Sequence, residues 1–484
     1  MPSLTFATVQ ELSKALRRRD VSAVEIVEAY LERIARYNPQ LNAIVTLDAE
    51  NALARAKEAD ASLSSSISWG PLHGIPITLK DSLCTAGLRT TSGHPELSNY
   101  TPISDAPVVA RLRSAGAIVL GKTNLPTLAR DVQTDNPVFG RTNNPWNLDY
   151  TPGGSTGGGA AAVAAGLTPL EIGSDIGGSV RVPAHYCAVC ALKPTDGRVS
   201  TIGHIPEMPG RLRGLRHMQT IGPVARCVAD LATVLRIIAG SHTDDPSVPP
   251  VPLQSDAAFH LGEARIFWTD RFEDLSSSRE TSRGISLFAG ELARLGYRVE
   301  EAASIVDFRI AWETWGELMQ AELASSLSAE EEAQREKRVA SLRHPEEPTL
   351  RGAARMLNAS VRQYMDTLQR RDRMIVALDH FFEGNTILLC PVAVGTAIPH
   401  CPTGTPISVD GATVPYWIGS LGFCCPFNLT GHPSVVLPLR LSSNGLPIGI
   451  QVAGPRWADL TLLTITQELA EITGPCPRPP GYDL

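Results

Sequence analysis

Two serines and one lysine are the residues whose types and positions could do chemistry together. Ser155 and Ser179 each lie in a glycine-rich turn, PGGSTGGGA and SDIGGSVR, and the two serines are 24 positions apart. Glycine is concentrated where the backbone adopts conformations that other residues disfavour, or where it approaches another group closely. The two serine-bearing turns therefore indicate a nucleophilic site. A serine hydroxyl is a poor nucleophile until a base accepts its proton, so such a site also requires a base.

Lys80 is the candidate base for such a nucleophile. It ends the apolar run IPITLK, which predicts an interior strand over residues 75–80. Burying an ammonium group is costly unless it is paired or neutral, and a neutral lysine can accept a proton. The alternative is a lysine at the end of a strand with its side chain in solvent.

Other uses of glycine-rich turns fit this sequence less well. PGGSTGGGA is not followed by Lys-Ser or Lys-Thr, which excludes a phosphate-binding P-loop, and neither turn matches the dinucleotide motif G-x-G-x-x-G. The G-x-S-x-G motif is absent, and none of the eleven histidines lies in a comparable turn, so neither a nucleophile elbow nor a Ser-His-Asp triad is supported. A purely structural role for both turns is the alternative.

Four ordered blocks of sequence resemble the amidase signature family. The blocks are GIPITLKD at 74–81, GGSTGG at 153–158, GSDIGGSVRVPA at 173–184, and LKPT with GRVS at 192–200. The segment 428–454 resembles the C-terminal strands of that family. The resemblance implies an α/β fold in which a twisted mixed β-sheet is covered by α-helices on both faces. It also implies cleavage of an amide C–N bond through a serine acyl-enzyme, with no metal and no organic cofactor.

The same resemblance implies roles for individual residues. Ser179 is the expected nucleophile, Ser155 the proton relay on a cis Gly154–Ser155 bond, and Lys80 the base. The expected oxyanion hole consists of the backbone N–H groups of Ile176, Gly177, Gly178 and Ser179. The residues expected to support the site are Gly154, Thr156, Asp175 and Arg181, the last two as a structural ion pair. Thr156 departs from the family pattern, which more often has a second serine, so the local packing is expected to differ while the triad is retained.

The substrate pocket is the part of the site on which the sequence is least informative. The candidate residues are Asp131 and Gln133, within the stretch 128–135, and Trp417 and Ile418, at the end of a long loop predicted over 392–418. Apolar and aromatic residues flank that loop and no arginine is evident there, which favours a small amide with an aliphatic or aryl acyl group. The alternatives are a carbamate or ester hydrolase with the same triad, a glutamyl-tRNA amidotransferase A-type subunit, and a non-catalytic binding protein on the same fold.

Hydrophobic periodicity and capping signals predict the elements that position these residues. Thr8 with Glu11 and Ser22 with Glu25 match the capping box, so helices are expected to begin there. Further helices are expected at 48–66, at 105–116 with Asp105 as the cap, and at 280–295, 357–381 and 458–472. Further strands are expected at 117–121, 170–172, 264–268, 297–300, 386–391, 427–439 and 447–454. The charged run 328–343 predicts a solvated helical face.

A chain of 484 residues could form one domain or several, and the lack of internal repeats and low-complexity tracts favours a single domain, which is expected to be cytoplasmic. Its expected parts are N-terminal helices (1–66), the signature region (about 70–240), a variable pocket region (about 241–420) and C-terminal strands with a helix (421–484). A net charge of −7 and the lack of an 18-residue apolar run argue against nucleic-acid and membrane partners. Nine scattered cysteines and no secretory signal indicate reduced thiols, with Cys187 and Cys190 buried rather than metal-bound. Homodimers are common in the family, so a homodimer is a possible assembly.

Overall fold

One mixed β-sheet of eleven strands organises the chain. The computed structural model describes residues 4–205, 209, 214–253, 260–302, 305–324, 333–334, 337 and 347–482. The strands in these ranges are β1 (Ile44–Leu47), β2 (Pro76–Lys80), β3 (Ile118–Thr123), β4 (Leu170–Asp175), β5 (Cys190–Lys193), β6 (Thr220–Ala225), β7 (Arg265–Trp268), β8 (Arg271–Phe272), β9 (Leu275–Ser276), β10 (Arg298–Glu301), β11 (Thr386–Cys390), β12 (Ile407–Val409), β13 (Ala412–Val414), β14 (Ser434–Leu441) and β15 (Pro447–Ala453).

The large sheet has the strand order β1-β3-β2-β4-β6-β5-β14-β15-β11-β7-β10. Strands β3, β2 and β4 are parallel to one another, as are β11, β7 and β10. Antiparallel pairs join β4, β6, β5, β14, β15 and β11 in the centre. The remaining strands form two short hairpins, β8–β9 and β12–β13.

Helices flank the sheet. In the described ranges they are α1 (Val9–Arg18), α2 (Ala23–Leu41), α3 (Ala49–Ser64), α4 (Pro107–Ser114), α5 (Gly157–Ala164), α6 (Arg181–Cys187), α7 (Val228–Ile238), α8 (Arg279–Arg294), α9 (Phe308–Ala324), α10 (Pro348–Arg355), α11 (Val361–Phe381), α12 (Tyr416–Leu421), α13 (Cys425–Leu429) and α14 (Asp459–Thr473). Single 3₁₀ turns occur at Leu4–Phe6, Pro95–Leu97, Thr127–Ala129 and Leu261–Glu263. None of the helices in the described ranges is long and apolar enough to cross a lipid bilayer.

Alternation along the central strands shows why helices cover the sheet on both faces. Val435 and Leu437 of β14 belong to the largest hydrophobic cluster, which also contains residues of α7 and α14. Val436, between them, packs in a different cluster with residues of α5 and α6. Because successive side chains of a strand point to opposite faces, both faces are apolar and both require a covering layer. The predicted fold class, a mixed sheet flanked by helices, is confirmed.

The sheet brings Lys80, at the end of β2, to the same edge as the turn that follows β4 and carries Ser179. Strand β2 lies beside β4 in parallel, with Leu79 opposite Ile172. The two strands therefore end at the same edge, where Lys80 terminates β2 and Asp175 terminates β4. The chain continues from β4 into the turn that carries Ser179 and then into α6.

Several predicted elements are present near their predicted positions. Both capping boxes form, with Thr8 and Ser22 accepting from the amides of Glu11 and Glu25. The predicted strands that correspond to β2, β3, β4, β7, β10, β11 and β15 are present, with ends that differ by a few residues from the prediction.

The prediction that Asp105 caps a helix was wrong. Helix α4 begins after Ala106, and no side chain caps it. Asp105 instead accepts a hydrogen bond from the Ala86 amide at 2.7 Å and pairs with Arg113 at 3.0 Å. Pro107 at the first helical position lacks an N–H and has a helical φ, so the helix begins without a capping side chain.

Two predictions in the C-terminal half also differ from the structure. The strand predicted over 427–439 begins only at Ser434, because residues 425–429 form the short helix α13, with Pro426 in its first turn, where proline is tolerated. The loop predicted over 392–418 contains the β12–β13 hairpin, whose turn residues Asp410 and Gly411 both have positive φ. The charged helix predicted over 328–343 lies outside the described residues, apart from 333–334 and 337.

Candidate active site

Lys80 is fully buried at the end of β2, between two serine hydroxyl groups. Its Nζ lies 2.7 Å from Ser155 Oγ and 3.0 Å from Ser174 Oγ. Burial lowers the pKa of Lys80 to about 7, although the negative charges of Asp175 and Glu171 oppose the shift. The alternative of a solvent-exposed lysine was wrong, and a large fraction of Lys80 is a neutral amine near neutral pH.

Ser155 is buried on the loop that leads into α5. The Gly154–Ser155 peptide bond is cis, as the resemblance implied. A Cβ atom on Gly154 would lie 2.8 Å from the carbonyl oxygen of Asp131, so only glycine allows this loop to pass against the 131–133 backbone. Glycine therefore determines where the Ser155 hydroxyl is held relative to Lys80.

Ser179 lies in the turn between β4 and α6 and is half-buried. The backbone carbonyl of Ser179 accepts a hydrogen bond from the Thr156 amide at 3.0 Å. This bond joins the two glycine-rich turns directly. Thr156 also donates from its hydroxyl toward the Ser174 carbonyl at 3.4 Å, so the threonine that departs from the family pattern is part of the connection.

The carboxylate of Asp175 organises the turn that carries Ser179. It accepts hydrogen bonds from the amides of Gly178 at 2.8 Å and Val180 at 3.1 Å. The Gly178 amide is thus already occupied. The amides of Ile176, Gly177 and Ser179 donate no hydrogen bond to another described residue, which leaves these three available to an oxyanion.

Asp175 and Arg181 form a fully buried ion pair, with Arg181 Nη2 2.9 Å and Nε 3.0 Å from the two carboxylate oxygens. Asn428 Nδ2 adds a third donor at 2.9 Å. Burial alone would raise the pKa of Asp175, but the charge and hydrogen bonds of Arg181, with the Asn428 amide, hold it well below its usual range. Both groups are therefore charged, and their side chains fix the turn.

A cavity of about 590 Å³ opens onto these turns. Ser155, Ser174 and Ser179 line it, whereas Lys80 lies behind the first two. The aromatic and aliphatic side chains of the wall include Ile176, Trp315, Met319, Leu350, Trp417 and Leu421. Arg130 and His94 also line the cavity, so an arginine reaches it from the stretch 128–135, although the loop over 392–418 contains none.

The four predicted pocket residues have different positions. Asp131 and Trp417 line the cavity. Gln133 is not among its lining residues within the described ranges, and its amide donates to the Tyr416 hydroxyl at 3.0 Å and to the Cys401 carbonyl at 2.7 Å.

Hydrogen bonds explain the positions of Ile418 and Asp131. The Ile418 amide donates to Glu347 Oε2 at 3.2 Å, and Ile418 lines a separate cavity of about 650 Å³. Asp131 accepts from the Tyr416 hydroxyl at 2.6 Å, and burial raises the pKa of Asp131 despite its hydrogen bonds from Thr403 and Tyr416. Asp131 therefore holds two loops of the pocket together.

Sequence reasoning missed several polar residues of the cavity, and three of them are connected to Lys80. Ser174, His204 and Gln219 line the cavity, and they form a chain of hydrogen bonds that ends at Lys80. Ser174 lies inside the SDIGGS motif, which was the available signal. His204 and Gln219 lie in no motif and are brought to the site only by the fold.

Comparison with known proteins agrees with this geometry. The profile of the Amidase family matches residues 25–463, most of the chain. The chain belongs to the amidase signature family. It is 33% identical to the A subunit of the glutamyl-tRNA(Gln) amidotransferase of Roseiflexus sp. (strain RS-1), over 96% of both chains. It is 34% identical to indoleacetamide hydrolase of Bradyrhizobium diazoefficiens, over 93% of this chain and 83% of that one.

A solved structure of 6-aminohexanoate cyclic dimer hydrolase superposes on this amidase signature protein with a TM-score of 0.80. The two chains are 26% identical, and the alignment covers 98% of this chain and 99% of the other. The family and these relatives identify the protein as a hydrolase that acts on amide C–N bonds.

Proposed function

We propose that this protein is a serine amidase in which Ser179 is the nucleophile, Ser155 relays the proton and Lys80 is the base. The observation that carries this proposal is the 2.7 Å contact between the buried Lys80 amine and the Ser155 hydroxyl, beside a cavity that Ser179 lines. A lysine that is neutral near pH 7 can accept a proton, and a hydroxyl can pass one on because it both donates and accepts.

The proposed acylation uses these three residues. Ser179 Oγ attacks the amide carbonyl carbon and releases its proton to Ser155 Oγ, while the Ser155 proton moves to Lys80 Nζ. The carbonyl oxygen becomes an oxyanion that the amides of Ile176, Gly177 and Ser179 would stabilise, each by about 3 kcal/mol. The C–N bond then breaks as the nitrogen takes a proton from Ser155, which is replaced by one from the Lys80 ammonium.

Deacylation uses the same groups in the same order. A water molecule attacks the ester carbonyl of the acyl-enzyme and releases a proton through Ser155 to Lys80. Collapse of the second tetrahedral intermediate breaks the ester bond, and the Ser179 oxygen takes the proton back. The products are a carboxylic acid and the free enzyme, with Lys80 neutral again.

The wall of the cavity supports an amide with an apolar acyl group, aliphatic or aryl. Trp315, Met319 and Leu350 offer apolar surface beside the serines. Burial of such surface contributes about 25 cal/mol for each Å² removed from water. A carbamate or ester with the same acyl group could react through the same residues, so those substrate classes are the second candidates.

A role in an amidotransferase complex is a third candidate, because the relative from Roseiflexus bears that name. Glutamine hydrolysis separates this role from the proposed one. Faster turnover of glutamine than of apolar amides would favour the amidotransferase role.

Labelling with a fluorophosphonate tests the proposed nucleophile without knowledge of the substrate. The probe forms an O–P bond with an activated serine and releases fluoride. We expect one adduct on Ser179 by intact mass and peptide mapping, and none in Lys80→Ala. The exposed Ser241→Ala is the matched control and should label like the wild type. An adduct on another serine would contradict the assignment of Ser179.

A panel of matched amide, ester and carbamate substrates then identifies the reaction. We expect Lys80→Ala to lower amide hydrolysis by several orders of magnitude at neutral pH, because an amide needs both a deprotonated nucleophile and a protonated leaving group. Near-wild-type amide turnover in Lys80→Ala would remove the lysine from the mechanism.

A further inference from the structure

His204 is a buried histidine that the reaction scheme above does not use. It lines the cavity with Ser174 and Gln219 but lies in no signature motif. Its Nε2 is 2.7 Å from Ser174 Oγ, and its Nδ1 is 2.6 Å from Gln219 Nε2. These two contacts connect it, through Ser174, to the Lys80 amine at 3.0 Å.

The neighbours of the ring determine which nitrogen carries the proton. Gln219 Nε2 is an amide nitrogen and can only donate, so His204 Nδ1 accepts. The proton of the neutral ring is therefore on Nε2, which donates to Ser174 Oγ. Burial and the charge of Lys80 both lower the pKa of His204, which keeps the ring neutral.

This direction of donation makes Ser174 Oγ a weaker acceptor for Lys80. The single lone pair of the neutral Lys80 amine has to accept the Ser155 proton, so Lys80 donates to Ser174 Oγ in both of its charge states. The N–H of His204 already donates to that oxygen and leaves it less negative. Because an ammonium depends on its acceptors more than a neutral amine does, the His204 donor disfavours the ammonium form of Lys80.

We propose that His204 is a positioning residue that, with Gln219 holding its tautomer, donates to the Ser174 oxygen beside Lys80 and so favours the neutral form of the base. This inference rests on the proposed function, because it assigns His204 an effect on Lys80 as the base. The hydrogen bonds of the His204 ring go to Ser174 and Gln219, so His204 acts on Lys80 through Ser174.

Three other charged side chains lie near Lys80, on strands β3 and β4. Asp175 and Glu171, both on β4, favour the ammonium form of Lys80 by their negative charge. Lys122 on the neighbouring strand β3 lies against Asp81, Cys84 and Glu171, and its hydrogen bonds go to the Leu83 carbonyl and the Thr85 hydroxyl. The hydrogen bond from His204 to Ser174 therefore acts together with burial and against the carboxylates.

The test is the pH dependence of the rate at which a fluorophosphonate labels Ser179, measured from pH 5.5 to 10 on the full-length protein. In the wild type the rate should rise through the titration of Lys80 and level off. We expect His204→Leu to move this rise to higher pH, with labelling about tenfold slower at pH 6 and close to wild type at pH 9.5. His204→Gln, whose amide can still donate to Ser174, should restore most of the wild-type profile.

His73→Leu is the matched control. It removes another buried imidazole, whose hydrogen bonds go to the backbone of Trp69 and Ala59 and whose ring packs on the Trp69 ring, and it should leave the position of the rise unchanged. If His204→Leu does not fold, Gln219→Leu provides the same test, with a smaller shift in the same direction because the ring loses the donor that fixes its tautomer.

The possible outcomes are distinguishable. A loss of labelling by the same factor at every pH would mean that His204 is merely structural and would overturn the inference. A shift to lower pH would mean that the donors run in the opposite direction, and it would overturn the inference as well. If the wild type labels on Ser179 and the rise does not move, only the inference fails. If the wild type does not label there, the proposed function and the inference fail together.

Discussion

At the scale of single residues, the site depends on a lysine that is held in an unfavourable environment. The side chain of Lys80 is fully buried, and burial lowers its pKa from 10.5 to about 7. In the unfolded chain the same group is a solvated ammonium. The folded protein therefore loses stability at Lys80 by holding an amine that is largely neutral near physiological pH.

We predict that Lys80→Met stabilises the protein at pH 7 while abolishing fluorophosphonate labelling. A pKa shift from 10.5 to about 7 corresponds to about 5 kcal/mol in the free energy of unfolding. Lys80→Met also leaves the hydroxyls of Ser155 and Ser174 without this partner, which reduces the gain by about 1–3 kcal/mol. A base with a lowered pKa destabilises the native state fully below about pH 7, and the penalty disappears as the pH rises to about 10.5. The gain from Lys80→Met should therefore shrink over that window.

Urea unfolding at pH 7 and pH 10 measures this difference. Lys14→Met replaces an exposed lysine and is the control, with little change in the free energy of unfolding at either pH. An equal destabilisation by Lys80→Met at both pH values would show that the lysine is not held in its neutral form.

At the scale of elements, helices α9 and α10 form one wall of the cavity, and glycines on each helix allow their backbones to pack closely. Helix α9 carries Trp315 and Met319 into the cavity, and Trp315 Nε1 donates to the Ile176 carbonyl at 2.8 Å. A Cβ on Gly352 of α10 would overlap the backbone carbonyl of Glu313 on α9, and a Cβ on Gly316 would overlap that of Thr349. Glycine at both positions allows the two helix backbones to touch.

We predict that Gly352→Ala lowers both the melting temperature and the rate of labelling at Ser179. Alanine favours a helix by about 1 kcal/mol, but the overlap with a backbone carbonyl forces α9 and α10 apart and costs more than that gain. Because Trp315 moves with α9, the turn that carries Ser179 is disturbed as well.

The control for this variant is Gly290→Ala in helix α8, where an added Cβ meets no atom within 4 Å. Only the helix propensity changes there, so the melting temperature should rise slightly and the labelling rate should not change. If Gly352→Ala behaved like Gly290→Ala, the close contact between α9 and α10 would have no structural importance.

The elements that the sequence predicted correctly are those with a clear local signal. The capping boxes at Thr8 and Ser22 and the apolar run of β2 depend on neighbouring residues, and each is found in the structure. Strand β6 (Thr220–Ala225) was not predicted, because TIGPVA contains glycine and proline, which are uncommon in central strands. Gly222 is required there, since a Cβ would overlap the Leu192 carbonyl of β5.

At the scale of the whole molecule, the sheet joins parts of the chain that the sequence shows separately. Its eleven strands come from residues 44 to 453 and form one continuous sheet, which supports our proposal that the chain is a single domain. The residues of the proposed triad could be selected from the sequence because each lies in a short motif. The wall formed by Leu215, Trp315, Met319 and Leu350 could not, because these residues are distant in sequence and share only their apolar character.

This wall leads to a prediction about specificity. Ala353 lines the cavity, whereas Ala354, the next residue of α10, is exposed. We predict that Ala353→Phe fills part of the 590 Å³ cavity and slows labelling by a long-chain alkyl fluorophosphonate by about tenfold or more, because part of the apolar contact, about 0.8 kcal/mol for each CH₂, is lost. A methyl fluorophosphonate needs no such space and should label Ser179 as fast as in the wild type. Ala354→Phe should change neither rate, and equal slowing of both probes by Ala353→Phe would mean that the cavity does not bind the acyl chain.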